Sequence, residues 1–299
     1  MLANKRVESE LAASTLRAAS ARRSRATLAL TWNDFMRGTA KKIHRKLKTI
    51  LPFTRSVDFI ICGTQKGGTT ALDAYFREHP EICMANQKEV HYFDNEKHFA
   101  NGVPNYSKYH AFFSPKKTHK VLGEATPIYM YWNESPKRIF EYNNKIKIII
   151  ILRSPIDRAY SHWNMERSRN ADSMSFKEAI DAERERCREA LPYQHRVYSY
   201  VDRGHYLDQL RRIWAYFPKE RVLILKNEDL KQNVYATLNQ VADFLGVSHF
   251  NNIDNKNVHS RPYVSHMSRE ERDFLKSIFE AEIKELEEEL QWDCSDWLK

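Results

Sequence analysis

The chain has 299 residues, 42% hydrophobic and 12% aromatic, enough apolar material for one large domain with a buried core. Its formal charge of +9 is unevenly placed: residues 1–56 carry 13 Lys/Arg against 3 Asp/Glu, and the remainder 35 against 36. A near-neutral body argues against a nucleic-acid partner, no run approaches 18 apolar residues, and four scattered cysteines make neither a disulfide framework nor a metal site.

Residues 1–56 are therefore expected to form a flexible basic tail, suited at most to weak contact with a membrane surface or another polyanion. Residues 57–299 are expected to be a single domain. Residues 57–62 (VDFIIC) are a short apolar run bounded by charge and glycine, which predicts a buried strand. A helix over 69–79 follows, with Leu72, Tyr75 and Phe76 on one face and Pro80 as its stop. Residues 120–123 read as a weaker strand. Residues 145–152 (KIKIIIIL) read as a central strand covered on both faces.

Ser154 and Pro155 are an N-cap and a first-turn proline for a helix running to about residue 169. An amphipathic helix is predicted over 206–217, a strand over 221–225, and a single helix over 230–245 closed by Gly246. Ser268 and Glu271 form a capping box that opens a charged helix towards residue 290. Strands alternating with helices predict an α/β fold, one P-loop-like domain with a central parallel sheet flanked by helices on both faces.

The chemistry concentrates in Gly63-Thr64-Gln65-Lys66-Gly67-Gly68-Thr69-Thr70, between the first strand and its helix. Glycines let backbone approach a phosphate, a helix N-terminus offers unpaired N–H groups, Lys66 adds a cation, and Thr69 and Thr70 add hydroxyls. In a nucleotide-hydrolysing P-loop the lysine follows the glycines; here it precedes Gly67 and Gly68.

That loop resembles the 5′-phosphosulfate loop of PAPS-dependent sulfotransferases. Asn86-Gln87-Lys88-Glu89-Val90-His91-Tyr92-Phe93-Asp94 resembles a stretch of the heparan-sulfate-type branch and its bacterial relatives. Arg153, with Ser161 eight residues on, is similar to the family's 3′-phosphate pair. Gly123-Glu124-Ala125-Thr126-Pro127, Arg203-Gly204-His205-Tyr206 and Lys226-Asn227-Glu228-Asp229-Leu230 continue the resemblance in family order.

The resemblance implies in-line transfer of a sulfuryl group from PAPS, without a metal, to a hydroxyl or amine of an acceptor such as a saccharide. It gives Lys66, Gly67, Gly68, Thr69 and Thr70 the 5′ side of the nucleotide, and Arg153, Ser161 and Arg261 the 3′-phosphate. Glu89 is the first choice for the base and His91 the alternative; Glu124 either lines the acceptor site or makes a structural pairing. Ala125 stands where the glycosaminoglycan branch often has a lysine, which counts against a heparan-type acceptor. The arginines from Arg167 to Arg196 read mainly as a solvated charged face. With no membrane anchor recognised, a cytoplasmic enzyme is expected. Two other readings stay open: a magnesium- and ATP-dependent P-loop phosphotransferase, and a non-catalytic polyanion-binding protein that uses the tail.

Overall fold

The computed structural model describes residues 55–251, 253 and 263–299. The basic segment up to residue 54 and the proposed nucleotide contact Arg261 lie outside them. Five short apolar runs form one sheet: β1 (Phe59–Gly63), β2 (Ile82–Met84), β3 (Val121–Ala125), β4 (Lys147–Leu152) and β5 (Val222–Lys226). The order is β2-β3-β1-β4-β5 and every pairing is parallel.

Burial explains why these runs lack an in–out alternation. Phe59 and Ile61 join Ile149, Ile151 and Leu225 in a cluster with Leu72 and Phe76 of helix α1 (Thr69–Glu78). Successive side chains of a strand face opposite sides of its sheet, yet Ile60, Cys62, Ile148 and Ile150 are also buried. Both faces are therefore covered, as the isoleucine run of β4 requires.

Helix α2 (Ser135–Tyr142) leads into β4, and helix α3 (Pro155–Ser168) leaves it, with Pro155 in its first turn and the Ser154 hydroxyl accepting from the Asp157 N–H at 3.5 Å. Helix α4 (Tyr206–Trp214) precedes β5. The helix expected over 230–245 is two: α5 (Asn227–Gln232) and α6 (Val234–Leu245). The break is at Asn233, which has φ −133° and ψ 57°. One residue out of helical geometry barely disturbs side-chain periodicity, so the pattern reads through it. Gly246 closes α6 in the left-handed region, at φ 75°. Helix α7 (Arg269–Leu290) opens on the expected capping box of Ser268 and Glu271.

Strand β2 carries no expectation from sequence, because three residues at a sheet edge are too short for a periodic signal. The chain goes from β1 to β2 and β3 on one side, then to β4 and β5 on the other. That reversal makes the carboxyl ends of β1, β3 and β4 the place where open parallel sheets bind ligands.

Candidate active site

The loop after β1 is drawn tight. The Thr64 N–H donates to the Ile151 carbonyl of β4 at 3.0 Å, and the Gly67 N–H donates back to the Thr64 carbonyl at 2.9 Å. Lys66 and Gly68 take positive φ of 71° and 118°. A Cβ on Gly67 would stand 2.4 Å from the Ile151 carbonyl oxygen and 2.6 Å from Thr64 Cγ2. The Asn227 amide, at the head of α5, donates to the Gly67 carbonyl at 2.7 Å. Gly68 is the N-cap of α1 and no side chain caps the helix. The first-turn amides, with Thr69 buried and Thr70 partly exposed beside them, form an anion-binding end.

Arg153 follows β4 directly, partly buried, with its carbonyl accepting from the Tyr206 hydroxyl at 2.8 Å. Its guanidinium lies 4.0 Å from Asp157, whereas Arg272 reaches the same carboxylate at 2.7 Å. The Arg153 pairing is the looser of the two, which leaves its planar donors able to turn to an anion. Ser161 is buried on α3.

The end of β3 carries the Glu89 segment. The Glu89 N–H donates to the Ala125 carbonyl at 3.0 Å, the Val90 N–H to Thr126 Oγ1 at 2.9 Å, and the Tyr92 N–H to the Tyr129 hydroxyl at 2.9 Å. Behind them Glu124 is fully buried and accepts from Thr126 at 2.6 Å, Tyr109 at 2.8 Å and Tyr129 at 3.2 Å. Burial pushes its carboxyl up to about 7, against the pull of those three hydroxyls. Of the two roles open to Glu124, the structure supplies the structural pairing: it holds the hydroxyls that hold the Glu89 segment. Ala125 is buried as well.

Glu89 and His91 both adopt positive φ, 61° and 52°, a region that costs a non-glycine residue energy and persists only where neighbours enforce it. Glu89 Oε1 pairs with Lys88 at 2.8 Å, and Oε2 lies 3.4 Å from His91 Nε2. His91 Nδ1 meets Asp94 at 2.9 Å, and the buried Asp94 carboxylate accepts from Arg196 at 2.5 Å. Burial would raise the Glu89 carboxyl, but His91 and Lys88 outweigh it and hold it at about 2. Asp94, then Glu89, raise His91 to about 9. At neutral pH Glu89 is therefore an anion and His91 a cation.

Asp94 and Arg196 were not singled out by sequence reasoning. Asp94 ends the Glu89 stretch and was legible there as a partner three residues after His91. Arg196 was hidden in a run of arginines read as solvated. Its side chain is 44% exposed and is also laid over the Trp132 ring at 4.2 Å, with Asp94 as its anchor. Arg188, paired with Glu185 on an exposed face, fits the solvated reading.

The match to known proteins follows this geometry. The family model described as "Sulfotransferase domain" matches residues 56–289. A membrane-associated sulfotransferase, kil1, of Dictyostelium discoideum is 25% identical, aligned with 77% of this chain. The human heparan sulfate glucosamine 3-O-sulfotransferase 5 is 29% identical, aligned with 72%. The chain spans 64% and 60% of those relatives' own lengths. The crystal structure of a sulfotransferase from Alicyclobacillus acidocaldarius superposes with a TM-score of 0.71 at 25% identity, covering 82% of this chain and all of that one. The chain belongs to the sulfotransferase-domain family.

Proposed function

We propose that this sulfotransferase-family chain moves the sulfuryl group of PAPS in line to a hydroxyl or amine of a saccharide acceptor. The observation that carries the reading is the pairing of two anion-binding features at the ends of adjacent strands: the Lys66 loop with the uncapped start of α1 after β1, and the loosely held Arg153 after β4. PAPS has two phosphate positions to satisfy, and an ordinary nucleoside triphosphate has no use for the second. The glycine cradle fits such a ligand, since a side chain at Gly67 would press on the Ile151 carbonyl instead of leaving room for the loop.

PAPS supplies an activated sulfuryl group whose departure leaves negative charge on a phosphate. Lys66, Thr69, Thr70 and the α1 amides would stabilise that charge as it grows. Arg153 and Ser161 would hold the 3′-phosphate, Arg153 through its fork of N–H groups. Arg261 keeps its sequence-based assignment to the same phosphate.

Glu89 is the residue that takes the acceptor proton, with His91 already protonated up to about 9 and so acting as its orienting partner. A carboxylate held at about 2 is a weak base. It suffices when proton transfer follows sulfur–oxygen bond formation, because the acceptor hydroxyl becomes strongly acidic as that bond forms. A saccharide acceptor is favoured by the similarity to the 3-O-sulfotransferase named for glucosamine in heparan sulfate. Buried Ala125, in place of a lysine, favours a less anionic sugar than heparan.

Among the described residues no helix is long and apolar enough to cross a membrane. The basic segment 1–56 stands outside the proposed chemistry, so a chain without it is expected to keep its turnover. The donor is tested by calorimetry or thermal shift with PAP (adenosine 3′,5′-bisphosphate) against ATP plus magnesium. The reading expects PAP to bind and stabilise the protein; stabilisation by ATP and magnesium but not by PAP refutes it and favours a phosphotransferase.

A further inference from the structure

Arg203 opens the Arg203-Gly204-His205-Tyr206 motif, to which the proposed chemistry gives no role. Its side chain is 1% exposed. Nε donates to Ser199 Oγ at 2.8 Å, and Nη2 to the Arg196 carbonyl at 2.7 Å and the His195 carbonyl at 3.3 Å. Nη1 donates to the side-chain oxygen of Gln65, the residue beside Lys66 in the phosphate loop. The guanidinium also lies over the Tyr131 ring at 4.6 Å. All of these partners are neutral. Burying a charge with no carboxylate hydrogen-bonded to it is expensive, and burial, with Arg158 nearby, pushes this guanidinium down to about 10 against the pull of Tyr131, Glu166 and Asp202.

The two sides of that contact set lead to the two halves of the site. On one side, Gln65 belongs to the loop that ends in Lys66, Gly67 and Gly68. On the other, the carbonyl of Arg196 belongs to the residue whose side chain grips Asp94, and Asp94 holds His91 against Glu89. A planar fork of five N–H groups can serve such divergent acceptors at once, and a lysine ammonium cannot.

We propose that Arg203 is a positioning residue that sets the phosphate loop in register with the Glu89 segment, through Gln65 on one side and Arg196–Asp94–His91 on the other. This rests on the donor reading of the loop. It makes donor grip and base alignment depend on one buried side chain that touches neither the donor nor the acceptor.

The test uses the full chain, PAP as the donor-side probe, and the titration of His91 by NMR of labelled histidine as the base-side probe, assigned by loss of its signal in His91→Gln. Gln65→Ala is expected to weaken PAP binding about tenfold, the order of one charge-assisted hydrogen bond, and to leave His91 unchanged. Arg196→Gln is expected to leave PAP affinity within about twofold and to raise the His91 pKa, since a cation leaves its neighbourhood. Arg203→Lys, confirmed as folded by circular dichroism, is expected to do both. Should Arg203→Lys not fold, Ser199→Ala loosens the same guanidinium by one hydrogen bond and is expected to do both more weakly. A residue that merely pins its own turn would lower the melting temperature and move neither probe. PAP binding by the wild type with only one probe, or neither, moving in Arg203→Lys and Ser199→Ala overturns the coupling. No PAP binding by the wild type overturns the donor reading, and this proposal with it.

Discussion

Placing one methyl group on Gly67 tests the phosphate loop without touching a charge. The new Cβ would stand 2.4 Å from the Ile151 carbonyl oxygen and 2.6 Å from Thr64 Cγ2. Relief to even a tight contact requires the loop to retreat from β4 by at least about 0.6 Å. The retreat also stretches the 3.0 Å hydrogen bond from Thr64 to the same carbonyl. Ile151 is fully buried inside the sheet and in register with Leu225 of β5, so the loop is the side that moves. Overpacking of this kind costs about 1–3 kcal/mol, which for a domain of this size lowers the melting temperature by about 2–12 °C. A displacement approaching 1 Å at a positioned site costs on the order of 100-fold in function. Gly67→Ala is therefore expected to bind PAP about 10- to 100-fold more weakly by calorimetry and to melt lower. Gly102→Ala is the control: its φ of 76° is unfriendly to alanine, a strain that Gly67 does not carry, but nothing lies within 4 Å of the added methyl. It is expected to cost about 1–2 kcal/mol of stability and to leave PAP affinity intact. Wild-type PAP affinity in Gly67→Ala refutes the loop argument.

Three further outcomes follow from the same geometry. Glu89→Gln keeps the shape and removes the base, so transfer should fall about 10²- to 10⁴-fold with PAP affinity nearly unchanged; loss of PAP binding instead would place Glu89 on the donor side. Arg153→Ala should erase the preference for PAP over adenosine 5′-monophosphate in competition calorimetry, and a preserved preference removes Arg153 from the 3′-phosphate. Glu124 is a buried acid whose pKa rises from 4.5 to about 7 on folding. The folded state therefore holds the extra proton, and this group's stabilisation is lost as pH climbs from 4.5 through 7, on the order of 3 kcal/mol in all. Subtracting the pH–stability curve of Glu124→Gln from that of the wild type should isolate that slope. A flat difference across the window contradicts the assignment.

Much of this site was legible because its chemistry is local. Lys66, the glycines and the threonines are consecutive. Ser154 and Pro155 announce the helix that carries Ser161, and the isoleucines of β4 place Arg153 at a strand end. What was not legible depends on distant pairings. Asn227 reaches Gly67 across 160 positions, and Arg203 reaches Gln65 across 138. No spacing rule connects such residues; the parallel sheet and its returning helices do. The anchoring of Arg196 was hidden for a related reason: it is an exposed member of a charge run, and only the fold puts Trp132 and Asp94 beside it. Glu124 shows the reverse: a carboxylate inside a motif suggests chemistry, and only its three hydroxyl partners reveal a scaffold. The break at Asn233 and the three-residue β2 fall below what periodicity can resolve.

Sulfuryl transfer itself is tested most directly by incubating the protein with sulfur-labelled PAPS and a panel of neutral and anionic saccharides, read by mass spectrometry. The label is expected in a saccharide, with one PAP formed per group transferred, and Lys66→Ala should lose most of that transfer while still folding. PAPS left unconsumed across the panel, or equal transfer by the wild type and Lys66→Ala, would contradict the role given to the loop.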